Sequence, residues 1–461
     1  MIIKGIKLRG WLLALVGSAV LIALIWTLAV KMEGEKPAVL MESGPLAIGD
    51  SHRFSITVSD AKSGLKKVWV GLLKDGKESV LIEKEFSPGS LFKRSRVHKE
   101  SIDIQIEPKK MGIADGEALL RVAVWDFSWK SWFRGNTVYL EKEVLIDTRP
   151  PVIDVLTRRH NIAQGGSGLV VYRVSEPCPV NGVSVGNNFF PGKAGYFKDK
   201  NVYMTFIALD HTQGKGTEMF VQAKDFAGNS VRKGFPHYIR NRQFRTDSIS
   251  VSDKFLAWKM PEFEDGGANQ AGGGQLDKFL RVNRELREES YKKIAGQLKE
   301  TDPLLRWEGA FGRLPASARK SAFADHRIYN YKGRVIDRQV HQGIDLASLA
   351  QSPVPASNKG RVVFQGEVGI YGKTVLLDHG FGLFSMYSHL SSIKVRIDQV
   401  VGKGEIIGRT GMTGLAGGDH LHFGMLIHQV FVDPVEWWDS AWIANNVLNK
   451  IEYVKSRLAE E

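Results

Sequence analysis

The chain has 461 residues, too many for one hydrophobic core, because single cores rarely grow beyond about 250–300 residues; about three folded units are expected. Hydrophobic residues make up 43% and charged residues 25%, which excludes a collagen-like or wholly disordered chain. A net charge of +13 suits an acidic surface or polymer; the basic residues are scattered rather than run together, and nucleic acid is not an expected partner.

Residues 1–10 carry Lys4, Lys7 and Arg9 ahead of an uncharged apolar stretch, 11–30. At 1.5 Å per residue such a stretch spans roughly 30 Å, the thickness of a bilayer's hydrocarbon core. It is longer than the apolar region of about 7–15 residues in a cleaved signal peptide, and "WTLAVKMEG" after it is a poor cleavage site. The expectation is a retained transmembrane helix. It is a single pass through the inner (cytoplasmic) membrane, with the basic segment in the cytoplasm and the C-terminal bulk in the periplasm or extracytoplasmic space. Cys178 is the only cysteine, so no disulfide within the chain is possible and stability must come from packing, metal or both.

From about 45 to 240 the sequence runs in short alternating stretches separated by turn residues, among them "HRFSITVSD", "SIDIQIEP" and "VYLEKEVLID". This spacing predicts two antiparallel β-sandwich modules, 36–147 and 148–240. "DTRPPVIDV", 147–155, is read as the seam, since paired prolines lack the backbone donors a continuing ladder needs. A faint repeat supports it: "LRVAVWDFSWKSWFRGN" and "MFVQAKDFAGNSVRKG" each place a strand before Asp-Phe and a short turn, at Asp126 and Asp225. These segments resemble the D-x-A-G-N strand ends of bacterial immunoglobulin-like domains, which implies a scaffold with possible protein partners rather than chemistry.

The polar stretch 241–275 ends in "EDGGANQAGGG" and reads as a flexible linker. Leu276, Phe279, Leu280, Leu286 and Tyr291 then recur at helical spacing, predicting an amphipathic helix over 275–299 that packs on the domain after it. Short strands and many glycines return over 300–440, and 441–461 closes the chain as helix. The fold class is thus mainly β: an N-terminal transmembrane helix, two sandwiches, a linker helix, and a C-terminal antiparallel sheet domain.

Seven of the twelve histidines lie between 326 and 428. In "VHQGIDLAS", His341 and Asp345 share a face whether the segment is helical or extended, and an imidazole with a carboxylate is two thirds of a three-ligand zinc site. A hydrogen-bonded turn is the commoner meaning of that pair alone. In "GGDHLHFGML" the alternation predicts a strand with His420 and His422 on one face and Leu421 and Phe423 on the other. Two buried imidazoles need partners, and a metal, a water network or core hydrogen bonds would each supply them. His389 ends an apolar strand and is a ligand or a free imidazole near the metal; His379 reads as a turn residue at a hairpin tip.

Taken together, "FGR" (311–313), "HQGIDLAS" and "GKTVLLDHGFGLFSMYSHLSSIKVRIDQVVGKGEIIGRTGMTGLAGGDHLHFGML" resemble the lysostaphin-type, or LytM-type, zinc endopeptidases of bacterial cell walls, in order and spacing, over about 310–434. The resemblance implies Zn2+ held by His341, Asp345 and His422, with His389 and His420 as non-ligand catalytic histidines and peptidoglycan as substrate. The pattern departs from the family at Asp419, where proline is frequent, and at Gly424, where glutamate is frequent. An insertion ahead of His341 offers His326, Tyr329 and Asn330 as residues to cap the metal. The implied function is a membrane-anchored zinc metalloendopeptidase cutting peptidoglycan cross-links; the alternative is a silent wall-binding regulator of cell-wall amidases, which the retained histidines disfavour. The bond cut has no signature in the sequence.

Overall fold

The structure is a computed structural model that describes residues 3–41, 46–88, 97–263 and 274–460. It is mainly β, and its compact units divide at the paired prolines: one is Met1–Pro150 with Asp225–Ser230, the other Pro151–Lys224 with Val231–Glu461.

The first unit begins with the helix Ile3–Lys31, whose segment Gly10–Ala29 is long and apolar enough to cross a membrane. Two sheets follow, as the alternation predicts. One orders Leu46–Ile48, Thr137–Ile146, Gly116–Asp126, Leu65–Lys74 and Lys77–Glu85; the other orders Ala38–Leu40, His52–Ser59 and Lys99–Ile106. Period two sends Ile56, Val58, Ile102 and Ile104 of the smaller sheet and Val68, Val70, Leu120 and Val122 of the larger into one shared core. The repeated Asp-Phe turns have the same wiring. The Asn136 Nδ2 amide donates to the carbonyls of Glu33 and Glu35 and to Asp126 Oδ2; the Asn229 amide donates to the carbonyls of Asp147 and Arg149 and to Asp225 Oδ2.

In the second unit one hydrophobic core runs from Ile153 to Val454. Phe206 of the strand Val202–Ala208 meets Trp437 edge-on at 5.6 Å, and Trp437 in turn packs on Trp307 and Phe311. The polar stretch read as a linker is structured over its first half. Thr246–Val251 is a strand paired in parallel with His326–Tyr331, and Asp253–Lys259 is a helix capped by the Ser252 side chain. Its alternation is weak because only Val251 of that strand is buried, so hydropathy gave no period to read. The glycine-rich part, 264–273, lies outside the described residues.

The predicted helix is present as Gln275–Arg281, a π turn Val282–Leu286, and Arg287–Gln297. Phe279, Val282 and Ile294 pack with Tyr329, Ile370, Tyr371 and Phe384, so its apolar face does cover the domain that follows. That domain is built on one antiparallel sheet ordered Ala318–Ser321, Ile344–Ala347, Leu421–Ile427, Leu383–Leu390, Gly372–Gly380, Gly360–Val368 and Val400–Val401, with Val430–Val432 also paired to Leu421–Ile427. The central strand Leu383–Leu390 is buried along its whole length and so shows no apolar–polar alternation, its Ser385, Ser388 and His389 being buried with hydrogen-bond partners.

Candidate metal centre

Sheet register assembles the site. Asp345 stands opposite His422 on one neighbouring strand, and Ser388 stands opposite His422 on the other, which brings His389 alongside. His341 precedes Gly343, whose φ of 155° favours glycine and where a Cβ would lie 2.6 Å from His422 Nε2; any side chain there would push the His422 ring away. His389 itself holds a left-handed backbone, φ 60°, an uncommon conformation outside glycine. Such strain persists where surrounding structure enforces it.

Three donor atoms converge. His341 Nε2 and His422 Nδ1 are each 3.0 Å from Asp345 Oδ1 and 3.0 Å from one another. The outer nitrogens decide the tautomers. His341 Nδ1 lies 3.0 Å from the Ala322 carbonyl and His422 Nε2 lies 3.2 Å from the Gln342 carbonyl; a carbonyl only accepts, so each outer nitrogen carries the proton. Both inner nitrogens therefore present lone pairs to a carboxylate, three acceptors with no donor among them. A cation is what such a set fits. Two nitrogens and one oxygen suit zinc at about 2.0–2.2 Å, and a tetrahedral ion would spread them only to about 3.3 Å.

The set is buried, with His341 3%, Asp345 8% and His422 2% exposed. Burial pulls the His341 imidazole below its ordinary value and the His422 imidazole down to about 4, both favouring the neutral, ligating form. Burial alone would raise the Asp345 carboxyl, but the facing His341, His420 and His422 rings hold it well below the usual carboxylate range. Arg327 adds a charge-assisted bond, Nη2 to Asp345 Oδ2 at 2.6 Å, which occupies the outer oxygen and leaves Oδ1 facing the imidazoles.

The two remaining imidazoles sit side by side, ring centroids 4.8 Å apart. His389 donates from Nδ1 to the Thr413 carbonyl at 2.8 Å, and His420 donates from Nδ1 to the Gly418 carbonyl at 2.8 Å. Both thus turn Nε2 inward, and His420 Nε2 is 3.5 Å from Asp345 Oδ1. Burial, reinforced by His420 and His422, drives His389 well below its ordinary value; burial also works against charge on His420, but Asp345 outweighs it and leaves His420 raised.

Other sequence-predicted residues lie elsewhere. His379 is not at a turn: it ends the strand Gly372–Gly380 fully buried, bonded to the Lys359 carbonyl and Ser385 Oγ, and burial lowers it to about 4. Of the capping candidates, His326 is exposed beside Phe244, Tyr329 packs on Phe279, and Asn330 donates to Ser248. Their neighbour Arg327 is the residue of that insertion that reaches the centre. The hairpin alternation of "HRIYNYKGRVIDRQ" was the signal that would have set Arg327 apart from His326. A cavity of about 420 Å³ borders the centre, lined by His211, Arg327, Arg338, Gln339 and Gln342 among others.

Comparison with known proteins reaches the same domain. Residues 339–434 match the sequence model of Peptidase family M23. The chain is 40% identical over 97 residues to the DD-carboxypeptidase/endopeptidase Mpg of Neisseria meningitidis serogroup B, covering 21% of this chain and 22% of that protein. It is 31% identical over 166 residues to the peptidoglycan DD-endopeptidase ShyA of Vibrio cholerae, covering 35% and 37%. The match thus spans about a fifth to a third of these relatives. Among solved structures, the catalytic domain of lysostaphin from Staphylococcus simulans aligns over 28% of this chain and 98% of its own, with 25% identity and a TM-score of 0.25.

Proposed function

The C-terminal domain belongs to Peptidase family M23, and from that premise we propose that the chain is a membrane-anchored zinc endopeptidase hydrolysing peptide cross-links of peptidoglycan. The observation that carries this reading is the convergence of three acceptors: the inner nitrogens of two imidazoles whose outer protons are committed to carbonyls, and a carboxylate oxygen whose partner oxygen is bonded to Arg327. His341, Asp345 and His422 would hold the zinc, which would supply Lewis acidity toward water and toward a peptide carbonyl. His389 and His420 supply proton transfer, each with Nε2 turned into the site by its Nδ1 bond. With its lone pair directed inward and no carboxylate bonded to it, His389 takes the proton of the attacking water. His420, the one within reach of Asp345, carries a proton to the leaving amine and faces the developing oxyanion.

The names of the relatives, DD-carboxypeptidase/endopeptidase and peptidoglycan DD-endopeptidase, support a bond between D-configured centres as the one cut. The apolar helix Gly10–Ala29 supports a retained anchor in the inner membrane, and the net charge of +13 supports an acidic polymer as the surface addressed. The test is digestion of intact peptidoglycan by the zinc-loaded chain in detergent. Release of uncross-linked muropeptides is expected, abolished by a chelator and by His341→Ala; digestion that ignores both would sink the proposal.

A further inference from the structure

The first unit holds a second convergence of donors, of different chemistry. Glu33, two residues past the end of the apolar helix, meets Asp60 and Asp126, and each offers a carboxylate oxygen within 4.8 Å of the other two. All three are buried, 5%, 3% and 0% exposed. Backbone amides take up part of each: Ser63 N donates to Glu33 Oε1, Lys62 N and Gly64 N to Asp60 Oδ2, and Ser128 N and Asn136 N to Asp126 Oδ1. These bonds orient the carboxylates without neutralising them.

The neighbouring lysines do not neutralise them either. Lys62 pairs with Glu35, and the Lys31 ammonium lies over the Phe127 ring at 6.0 Å. Among the described residues no lysine or arginine forms an ion pair with any of the three. Glu33 Oε2 is the telling atom: it is buried and has no hydrogen-bond partner, on a side chain that is 5% exposed. An unpaired buried charge costs several kcal/mol in proteins, and here three acids share one space. Glu33 responds as this predicts, since burial, with the charges of Asp60 and Asp126, raises its carboxyl above the ordinary value against the pull of Ser63.

We propose that Glu33, Asp60 and Asp126 form a calcium site that fastens the segment after the helix to the β module. The donor set is oxygen only, which suits a hard cation and not zinc. Calcium takes carboxylate oxygens in irregular shells of about six to eight ligands, whereas magnesium demands near-octahedral geometry and keeps several waters, which a set of three buried acids suits less well. Asn136 supports the site from behind, tying the carbonyls of Glu33 and Glu35 to Asp126.

The full chain in detergent, zinc-loaded, is tested by equilibrium dialysis against labelled calcium and by thermal unfolding. One calcium per wild-type chain is expected, with a Kd on the order of 0.1–1 mM, and a midpoint raised by about 3 °C at saturation. Magnesium at the same concentration leaves the midpoint where it was. Glu33→Gln, which keeps the Ser63 bond, and Asp126→Asn lose the calcium, while His341→Ala keeps it. A wild-type chain that binds no calcium in this range overturns the proposal even where the variants do not fold. So does a midpoint that magnesium raises equally, or a calcium response that His341→Ala abolishes.

Discussion

The histidine centre and the carboxylate cluster each gather three buried donors, but they are wired in opposite senses. In the first, each ligand has an outer partner that fixes its protonation: Ala322 for His341, Gln342 for His422, Arg327 for Asp345. Two of the three donors are neutral, so the set tolerates metal removal at the cost of three facing lone pairs. In the second, amides orient three acids and leave their charge standing, with Glu33 Oε2 unpaired. Imidazole nitrogens of borderline softness with a further imidazole pair alongside suit a catalytic metal; hard oxygen donors without a base suit attachment. On the two proposals the sites also differ in what emptying them removes, an activity from the first and a fastening from the second.

The largest effects break the first region alone. His341→Ala and His422→Ala each remove a proposed ligand, and peptidoglycan hydrolysis is expected to fall by about 10³-fold or more with loss of bound zinc. His420→Ala removes no ligand; zinc content measured by plasma emission stays at one per chain while turnover falls by about 10²–10⁴-fold. If His420→Ala loses zinc along with activity, the division of labour in "HLH" is wrong.

Acid acts next, and again on one region. Burial lowers His160 and His379 in the second unit to about 4, from 6.5 when unfolded. A depressed folded value means stability that is full above about pH 6.5 and is lost as pH falls toward 4, by up to about 3 kcal/mol per imidazole. Denaturant titrations of the chelated chain at pH 7.5 and 4.5 are expected to show that loss, and His379→Gln, which keeps a donor and an acceptor, to lessen it. A pH dependence that His379→Gln leaves unchanged would mean the His379 ring is protonated at no cost.

These regions also differ in how far the sequence exposes them. His341 and Asp345 four apart, and the H-x-H, are short-range spacings, and the register Asp345 opposite His422 follows once both segments are strands. Arg327 is invisible at that level, because its contact depends on a hairpin turning at Lys332 and Gly333 and on which face of it points inward. The parallel pairing of Thr246–Val251 with His326–Tyr331 is a long-range contact without hydropathic period. So is the continuous core through Phe206 and Trp437, which no linear pattern announces. Glu33, Asp60 and Asp126 lie far apart in sequence, and only the folded β module reveals that they meet. What the sequence did carry there was the repeated Asp-Phe turn, whose asparagine wiring the structure supplies.

Arg327 sharpens the contrast at an intermediate size. Were Asp345 simply a charge, replacing its partner would change little; as an oriented ligand it should bind zinc 10–100-fold more weakly in Arg327→Gln, by the usual size of outer-partner effects, about 1.4–2.7 kcal/mol. Competition with a chromophoric chelator measures this, and at saturating zinc kcat should return toward wild type. Calcium binding by the first unit should not move.

The smallest effect belongs to the approach to the centre rather than to the centre. Arg338 lines the bordering cavity from the strand Arg334–Val340 and stands opposite Ile328, and among the described residues no hydrogen bond or ion pair joins it to His341, Asp345, His422, His389 or His420. A guanidinium at such an exposed wall attracts an anionic chain weakly, at about 1 kcal/mol or less, because water and salt screen it. Arg338→Ala is therefore expected to raise KM for cross-linked muropeptides by about fivefold or less, with kcat, zinc content and the calcium response unchanged, and the rise should shrink as salt is added. A fall in kcat at constant KM would place Arg338 with the reacting groups instead. A KM that does not move at low salt would mean that the substrate reaches the histidines by another side of the sheet.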